Sequence, residues 1–404
     1  MKLIFSKFNK IKHKVALEDE SGLKFTYGEI INFSKKIQKN RIKKSIILII
    51  SDNTIASIFG YAAFMMSDNI IILIDKNFKI DFIRKTIKKF KVDFIFAPYF
   101  FFNKLKGLKN KNINLNKYNL FKKKNKKKTK LNIKNKLLLS TSGTTQSPKF
   151  VRLSNDNIFS NTINIIDYLK IKKTHVAITT MPMAYSYGLS IINTHLESGA
   201  KIIASKTTIF EKKFWFILND FKVTSFGGVP DFYEMLQKLK FENIKLPYLK
   251  YVTQAGGQLT NDSIKYIKKN FLKKLKFYAM YGQTEASPRM SFLPWKKFFS
   301  KAKSIGKPLK SCKMELVDEN YKKINEINKT GEIIFYGKNV SLGYAKNFYD
   351  LKKGNKNKFK LLTGDLAYKD KDDFFYIVGR KSRISKISGI RVDLEQIEKL
   401  INDK

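Results

Sequence analysis

Apolar runs and amphipathic segments alternate along the first third of the chain. The runs SIILII (45–50) and NIIILI (69–74) are each followed by turn residues, which is typical of buried strands. Between them, residues 54–67 carry apolar side chains at helical spacing; an amphipathic helix is indicated at 81–91 and another strand at 92–97. This order of strand, helix and strand predicts a parallel sheet wrapped by helices.

The same alternation returns further along, with strands predicted at 175–182, 200–205 and 222–228 and helices at 210–221 and 230–240. From about residue 302 short strands separated by turns replace it, which predicts a smaller β-rich subdomain. We therefore predict an α/β fold with parallel sheets wrapped by helices. Its predicted parts are two α/β subdomains over 1–300, a β-rich subdomain over 301–379, and a hinge with the remnant of a mostly absent small C-terminal domain over 380–404.

Residues 121–136, FKKKNKKKTKLNIKNK, interrupt this pattern because they are almost free of apolar side chains. Such a composition predicts a mobile surface linker. A nucleic-acid-binding tail is the alternative, although the segment lacks the interleaved aromatic residues on which bases stack.

The chain is strongly basic, with 80 Lys and Arg against 33 Asp and Glu and a formal net charge of +47. The lysines are spread over its whole length, which indicates solvated faces more than one nucleic-acid-binding stripe. The apolar runs are too short to span a membrane and the N-terminus is too charged for a signal peptide, so we expect a soluble cytoplasmic protein. A single cysteine excludes an internal disulfide, and the three histidines lack metal-ligand spacing and are expected to be structural; these residues are Cys312, His13, His175 and His195.

The segment LLLSTSGTTQSPKF (137–150) predicts a strand followed by a phosphate-binding loop. Consecutive backbone N–H groups and hydroxyls, one glycine and a lysine are suited to surround an anion. The loop is not a Walker A motif, because Pro148 and Phe150 replace the glycine and the magnesium-binding Ser/Thr. An ordinary Ser/Thr-rich loop is the alternative. The candidate phosphate ligands are Thr141, Ser142, Gly143, Thr144, Thr145 and Lys149.

Three further elements offer nucleotide chemistry. In YGQTE (281–285), Tyr281 offers a flat face for a purine, and Glu285 beside Thr284 suits magnesium held against phosphate; a helix N-cap at Thr284 is the alternative. In TGD, Asp365 is suited to ribose hydroxyls, although Gly-Asp turns are also common at strand ends. Arg380 follows in VGRKSR as a candidate for ribose or phosphate.

In this order and spacing, the elements resemble the AMP-forming adenylating superfamily of acyl-CoA synthetases, aryl-acid ligases, luciferases and nonribosomal-peptide adenylation domains. The resemblance covers nearly the whole chain. It implies that a carboxylic acid reacts with ATP and Mg²⁺ to give an acyl-adenylate, which is then transferred to the thiol of CoA or of a carrier pantetheine. The protein would act mainly by positioning the reactants and neutralising charge.

The resemblance also implies roles for individual residues. The loop residues and Lys149 would hold the β- and γ-phosphates, Tyr281 would stack on adenine, and Asp365 and Arg380 would bind ribose. Thr284 and Glu285 would carry the catalytic roles, at the α-phosphate and at the metal ion respectively. The adenine slot would also be lined by Gly256, Gly257 and Gln258.

Several positions depart from the family pattern. Gln146 and Phe150 replace glycines, which predicts a stiffer or more crowded phosphate loop. Tyr185 occupies the position where the family often has a histidine or an aromatic residue that gates the acyl pocket. The aspartate that binds an amino group in amino-acid-activating relatives is missing, so the resemblance favours an acyl or aryl acid over an α-amino acid.

The late lysine of the family's small C-terminal domain has no counterpart, because Lys386 belongs to the hinge element. We therefore expect slow adenylation by this chain alone. A separate C-terminal domain or an acyl carrier protein is expected as partner, and a shortened gene or an incomplete chain is the alternative. A nucleotide-binding pseudoenzyme, a partner-dependent half-enzyme and a basic nucleic-acid-binding protein remain alternatives, of which the last is disfavoured by the nucleotide motifs.

Overall fold

The computed structural model describes residues 4–105, 107–123, 134–140, 148–387 and 390–393. Its strands are β1 (Val15–Asp19), β2 (Lys24–Thr26), β3 (Ile46–Ser51), β4 (Ile70–Asp75), β5 (Phe94–Pro98), β6 (Leu108–Leu115), β7 (Tyr118–Lys123), β8 (Leu137–Ser140), β9 (Phe150–Leu153), β10 (Val176–Ile178), β11 (Lys201–Ala204), β12 (Ser225–Gly228), β13 (Tyr251–Gln254), β14 (Lys276–Gly282), β15 (Arg289–Leu293), β16 (Lys307–Pro308), β17 (Lys313–Val317), β18 (Lys323–Ile324), β19 (Gly331–Tyr336), β20 (Tyr344–Ala345), β21 (Lys360–Lys369), β22 (Phe375–Arg380), β23 (Ile384–Ile387) and β24 (Ile390–Asp393).

The α-helices are α1 (Tyr27–Lys39), α2 (Ile55–Met65), α3 (Ile80–Phe90), α4 (Phe101–Lys104), α5 (Asn155–Leu169), α6 (Ser186–Glu197), α7 (Lys212–Asp220), α8 (Pro230–Lys238), α9 (Asn261–Asn270) and α10 (Phe298–Lys301). Short 3₁₀ turns lie at Phe8–Ile11, Phe241–Asn243, Thr284–Ala286, Trp295–Lys297, Phe348–Lys352 and Lys381–Arg383.

Eight strands form one large sheet in the order β20-β9-β8-β4-β3-β5-β7-β6. Its centre, from β8 to β5, is parallel, and the strands on either side are antiparallel. Alternate residues of β3 enter different clusters, with Ile47 and Ile49 on one face and Ile46 and Leu48 on the other. Because both faces are covered, the strand reads as a continuous apolar run.

Nine strands form a second sheet in the order β16-β15-β14-β13-β12-β10-β11-β1-β2, which is parallel from β14 to β1. Helices α1, α2 and α6 share one core with inward residues of both large sheets, including Ile47 and Ile202. Every residue of α2 is therefore buried. Helices α7, α8 and α9 cover the other face of the second sheet through Phe214, Leu236 and Ile267.

A third sheet is antiparallel, in the order β18-β17-β19-β21-β22, and β23 pairs with β24. Its core includes Ala286 and Met290, so it packs against the turn after β14. The predicted fold class is confirmed: parallel-centred sheets are wrapped by helices and followed by a β-rich part.

The predicted surface linker at 121–136 is wrong at both of its described ends. Phe121 is fully buried in β7, where it pairs with Ile95 of β5. Lys136 is half-buried, and its Nζ donates to the carbonyls of Phe64, Ser67 and Asn69. A lysine in the sequence does not indicate solvent exposure at this position, because the ammonium group of Lys136 donates to backbone carbonyls. Burial lowers the pKa of Lys136 to about 8. Residues 124–133 lie outside the described residues.

Among the helices of the described segments, none has both the length and the apolar character needed to cross a bilayer.

Candidate functional site

A tight hairpin between β14 and β15 carries the YGQTE motif. The backbone N–H of Gln283 donates to the Pro288 carbonyl (2.9 Å), and Gly282 pairs with Arg289 across the two strands. A Cβ at position 282 would lie 2.0 Å from the Pro288 oxygen, so the turn requires glycine there. The hairpin therefore presents the side chains of 281–285 from a closely packed backbone.

Asp365 is the centre of a hydrogen-bonded cluster on one side of this hairpin. The carboxylate is only 3% exposed and accepts from Tyr281 Oη (2.5 Å), Gln283 Nε2 (2.7 Å) and Arg380 Nε (2.8 Å). Asp365 and Arg380 are cross-strand partners in β21 and β22. Burial, followed by the charge of Asp365, raises the pKa of Tyr281 well above its usual range, so this hydroxyl remains a donor.

Thr284 faces a different element, helix α6. Its Oγ1 lies 3.1 Å from Oγ of Ser186, the first residue of that helix. The 3₁₀ turn that Thr284 begins has no side-chain cap. The helix N-cap alternative is therefore wrong, and the hydroxyl bridges two elements of the site.

Glu285 belongs to a second polar group, together with Tyr344 and Lys149. Tyr344 Oη donates to Glu285 Oε1 (2.7 Å), and Lys149 Nζ lies 3.9 Å from the centre of the Tyr344 ring. Strand β20 positions Tyr344 by pairing with β9, with Tyr344 opposite Val151. One aromatic side chain thus connects the lysine of the predicted phosphate loop with the predicted magnesium ligand.

The predicted phosphate loop itself is described only in part. The strand predicted before it is confirmed as β8, and Ser140 of β8 pairs with Phe150 of β9. The Phe150 ring is buried and lies edge-on to Phe90 at 5.3 Å. Thr141, Ser142, Gly143, Thr144 and Thr145, like Gln146, lie outside the described residues.

The segment after β13 brings Gly256, Gly257 and Gln258 to the same region. Gly256 has a φ of +96°, and a Cβ there would lie 3.0 Å from Tyr185 Oη. Gln254 Nε2 donates to the Gly257 carbonyl (2.8 Å), and Gln258 Nε2 donates to the Ile377 carbonyl of β22 (3.0 Å). The loop therefore lies between Tyr185 and the strand that carries Arg380.

Sequence reasoning did not single out Ser186, Gln283 or Tyr344 as site residues. Gln283 lies inside the YGQTE motif, so its place in the sequence already indicates that it belongs to the site. Ser186 and Tyr344 gave no local signal, because their contacts depend on the start of α6 and on the pairing of β20 with β9.

The chain belongs to the family described as AMP-binding enzyme, whose model matches residues 9–345. The luciferin 4-monooxygenase of Photuris pensylvanica is 30% identical over 270 residues, which cover 66% of this chain and 49% of that protein. The oxalate–CoA ligase of Saccharomyces cerevisiae is 28% identical over 270 residues, covering 64% and 48%. The D-alanine–D-alanyl carrier protein ligase of Bacillus licheniformis is 28% identical over 282 residues, covering 66% and 54%. The chain spans about half the length of these relatives.

Solved structures share the fold over nearly the whole chain. ATP-bound MatB from Rhodopseudomonas palustris aligns with a TM-score of 0.80 at 18% identity, covering 98% of this chain and 82% of that one. The o-succinylbenzoate coenzyme A synthetase of Bacillus subtilis, in complex with ATP and magnesium ion, aligns with a TM-score of 0.78 at 19% identity, covering 97% and 82%.

Proposed function

We propose that this chain activates a carboxylic acid with ATP. An oxygen of the carboxylate attacks the α-phosphorus, the bond from that phosphorus to the β-bridging oxygen breaks, and pyrophosphate leaves with the electron pair. The product is an acyl-adenylate, whose AMP is a good leaving group. Family membership supports the proposal, as do the names of relatives that ligate acids to CoA or to a carrier protein.

One observation carries the proposal: a single hairpin contributes to both polar groups. Tyr281 and Gln283 contact Asp365, while Glu285 contacts Tyr344 next to Lys149. Thr284 lies between them in sequence and reaches α6. A nucleotide with its ribose at Asp365 and its phosphates at Lys149 would thus have Thr284 near the α-phosphate.

At the nucleoside end, Asp365 and Arg380 would bind ribose hydroxyls and the Tyr281 ring would contact adenine, with the Gly256–Gln258 loop beside it. Asp365 is already oriented by three donors, so its free lone pairs have fixed directions. Fixed polar groups lose little conformational entropy when the ligand binds.

The phosphate end fits magnesium, whose protein contacts in nucleotide sites are commonly one or two carboxylates completed by phosphate oxygens and water. Glu285 offers one carboxylate, Thr284 a hydroxyl and Lys149 a positive charge. In the described part of the chain, no group of three or more His, Cys, Asp or Glu side chains forms a metal cage. Magnesium held by Glu285 would supply neutralising charge for the departing pyrophosphate.

We further propose that the acyl group passes to the thiol of CoA or of a carrier pantetheine. The sulfur attacks the acyl carbon, the bond to the AMP oxygen breaks, and the thiol proton passes to solvent. The relatives named for CoA ligation and carrier-protein ligation support a thiol acceptor.

The test is exchange of labelled pyrophosphate into ATP with a panel of carboxylic acids, together with mass spectrometry for acyl-AMP. We expect acid-dependent exchange and an acyl-AMP of matching mass. AMP release should rise when CoA or a pantetheinylated carrier protein is added. Tight ATP binding without exchange or acyl-AMP for any acid would instead favour a nucleotide-binding pseudoenzyme.

A further inference from the structure

The TGD segment of β21 forms a bulge beside the candidate ribose site. The register between β19 and β21 shifts here, so that residues 363–365 of β21 lie opposite Ile333 alone. Gly364, in the middle of the bulge, has a φ of +73°, which glycine adopts without strain. A bulge takes backbone groups out of the regular ladder and changes the direction of a side chain. In this bulge that side chain is Asp365, the candidate ribose ligand.

Glu332 of β19 accepts one hydrogen bond from the bulge and one from the end of β22. Its Oε1 accepts from the Gly364 N–H (3.2 Å), and its Oε2 accepts from Lys381 Nζ (2.9 Å). Lys381 directly follows Arg380, which is the cross-strand partner of Asp365. Glu332 is only 8% exposed, so water competes little for its carboxylate. One buried carboxylate thus connects the two strands that carry the candidate ribose ligands.

The Thr363 hydroxyl makes the other side-chain contacts that hold the bulge. Its Oγ1 donates to the Ile333 carbonyl (3.0 Å) and accepts from the Asp365 N–H (3.1 Å). The N–H groups of Gly364 and Asp365 are therefore bound by side chains at the point where the strand ladder is interrupted. Because buried backbone donors need a partner, the shape of the bulge depends on these side chains. The direction of the Asp365 carboxylate depends on them in turn.

Glu315 of β17 shows a different role for a carboxylate of the same sheet. It forms ion pairs with Lys313 (2.8 Å) and Lys323 (3.5 Å), whose side chains are mostly exposed. Glu332, in contrast, accepts from a backbone N–H inside the bulge. Removal of the Glu315 carboxylate would therefore change the charge of this sheet and leave the hydrogen bonds of the bulge in place.

We propose that Glu332 is a positioning residue for the nucleotide, because its hold on Gly364 fixes the bulge that directs Asp365. The inference rests on the proposed function, in which Asp365 binds the ribose hydroxyls. Glu332 acts through Asp365, so its effect should appear in how well the chain recognises those hydroxyls. The chemical step at the α-phosphate should depend on it much less.

The test is calorimetric titration of the intact chain, with magnesium present, using ATP and dideoxy-ATP, which lacks both ribose hydroxyls. We expect the unaltered chain to bind ATP about 100-fold more tightly, because dideoxy-ATP leaves the Asp365 carboxylate without its ligand donors. In Glu332→Met this ratio should fall to about 10, since methionine has a similar length but cannot accept from Gly364. Glu332→Gln should stay within about 3-fold of the unaltered ratio, because its amide oxygen can still accept.

Glu315→Met is the matched control, since it removes a carboxylate of the same sheet that does not contact the bulge. It should keep the ratio of the unaltered chain. A general loss of order would weaken both nucleotides alike, so an unchanged ratio in Glu332→Met would contradict the proposal even if both bound more weakly. If Glu332→Met did not fold, Thr363→Val would test the same bulge. Its ratio should fall by a similar factor, and an unchanged ratio would overturn the proposal.

The binding assay separates this inference from the proposed function. A preference for ATP that Glu332→Met lowers would support the role of Glu332 even if no acid were adenylated, a result that would count against the proposed function alone. Equal binding of ATP and dideoxy-ATP by the unaltered chain would overturn the inference, whereas acid-dependent pyrophosphate exchange would still support the proposed function. During turnover, Glu332→Met should raise KM for ATP by about 10-fold and change kcat by less than about 3-fold.

Discussion

Two arginines of the chain, Arg380 and Arg289, differ in their surroundings. Arg380 is more than half exposed and forms an ion pair with Asp365 at 2.8 Å. Arg289 is buried, and its guanidinium contacts a hydroxyl and an aromatic ring. The nucleoside end is thus held in shape by its own charges, whereas Arg289 has no carboxylate partner among the described residues. The nucleoside end is therefore preorganised by its own ion pair.

The comparison predicts that changes at the nucleotide end affect every acid equally. In Glu285→Gln, the side chain keeps its size but loses the charge that would hold magnesium. We expect AMP formation to fall by about 1,000-fold with each acid tested, and the magnesium requirement to rise. Rates measured against magnesium concentration check this.

Tyr344→Phe is the control for that variant, because it removes only the hydroxyl that donates to Glu285. Its effect should stay within about 10-fold, the range of a single hydrogen bond to a charged group. If the two variants were equally impaired, Glu285 would act mainly through Tyr344 and the assignment to magnesium would be wrong.

Asp365→Asn should have the next largest effect. The amide cannot accept from Tyr281, Gln283 and Arg380 as the carboxylate does, so the cluster loses its charged centre. We expect about a 100-fold loss of kcat/KM for ATP.

Arg380→Gln should reduce kcat/KM for ATP less than Asp365→Asn does. The Arg380 side chain is 57% exposed, so water already screens its charge. A loss of about 10-fold in kcat/KM for ATP is expected. A loss larger than that of Asp365→Asn would place the ligand on the arginine instead of the aspartate.

Most of the fold could be predicted from sequence because its signals are local. The apolar runs at β3, β4 and β5 and the helical spacing of α2 and α3 identify buried strands and helices without any tertiary information. The segment 121–136 misled because its lysines suggest solvent, while Phe121 fits the register of β7 against β5. Whether such a segment forms a buried strand or an exposed linker depends on pairing between distant strands, and a single sequence does not reveal that pairing.

The candidate site divides in the same way. Tyr281, Thr284, Glu285 and Asp365 belong to short motifs and could be identified from the sequence. Arg289 could not, because it follows a motif closely and nothing in its neighbours reveals that its charge is buried. That property depends on α5, α6 and β12–β14 closing around it. The burial of a charged side chain is therefore harder to find from sequence than a residue inside a motif.

Two buried arginines, Arg152 and Arg289, should also differ in their contribution to stability. Arg152→Met leaves three carbonyl acceptors without their donor, and we expect the free energy of unfolding to fall by about 2 kcal/mol. Arg289→Met removes a charge without a carboxylate partner, and should change that free energy by less than about 1 kcal/mol or raise it. Urea unfolding at neutral pH measures both values. A large loss in Arg289→Met would show that this arginine is structural.

Another small effect concerns the buried, neutral imidazole of His195. Burial lowers the pKa of His195 to about 4, while the Ile191 carbonyl partly opposes the shift and nearby His175 adds to it. In the unfolded chain the pKa is about 6.5. The unfolded state therefore binds the proton first, and folding stability falls as the pH drops below about 6.5. Between pH 7.5 and 5.5 this group alone should lower the free energy of unfolding by about 1 kcal/mol.

His195→Gln removes this titration while keeping a polar side chain that can bond to the Ile191 carbonyl. The shifted pKa of His175, also about 4, is present in both proteins and cancels in the comparison. Urea unfolding of the two proteins across this pH range should give curves that diverge on acidification, with the variant losing less stability. Parallel curves would mean that His195 takes up its proton over the same pH range in the folded and the unfolded chain, so that burial would not lower its pKa.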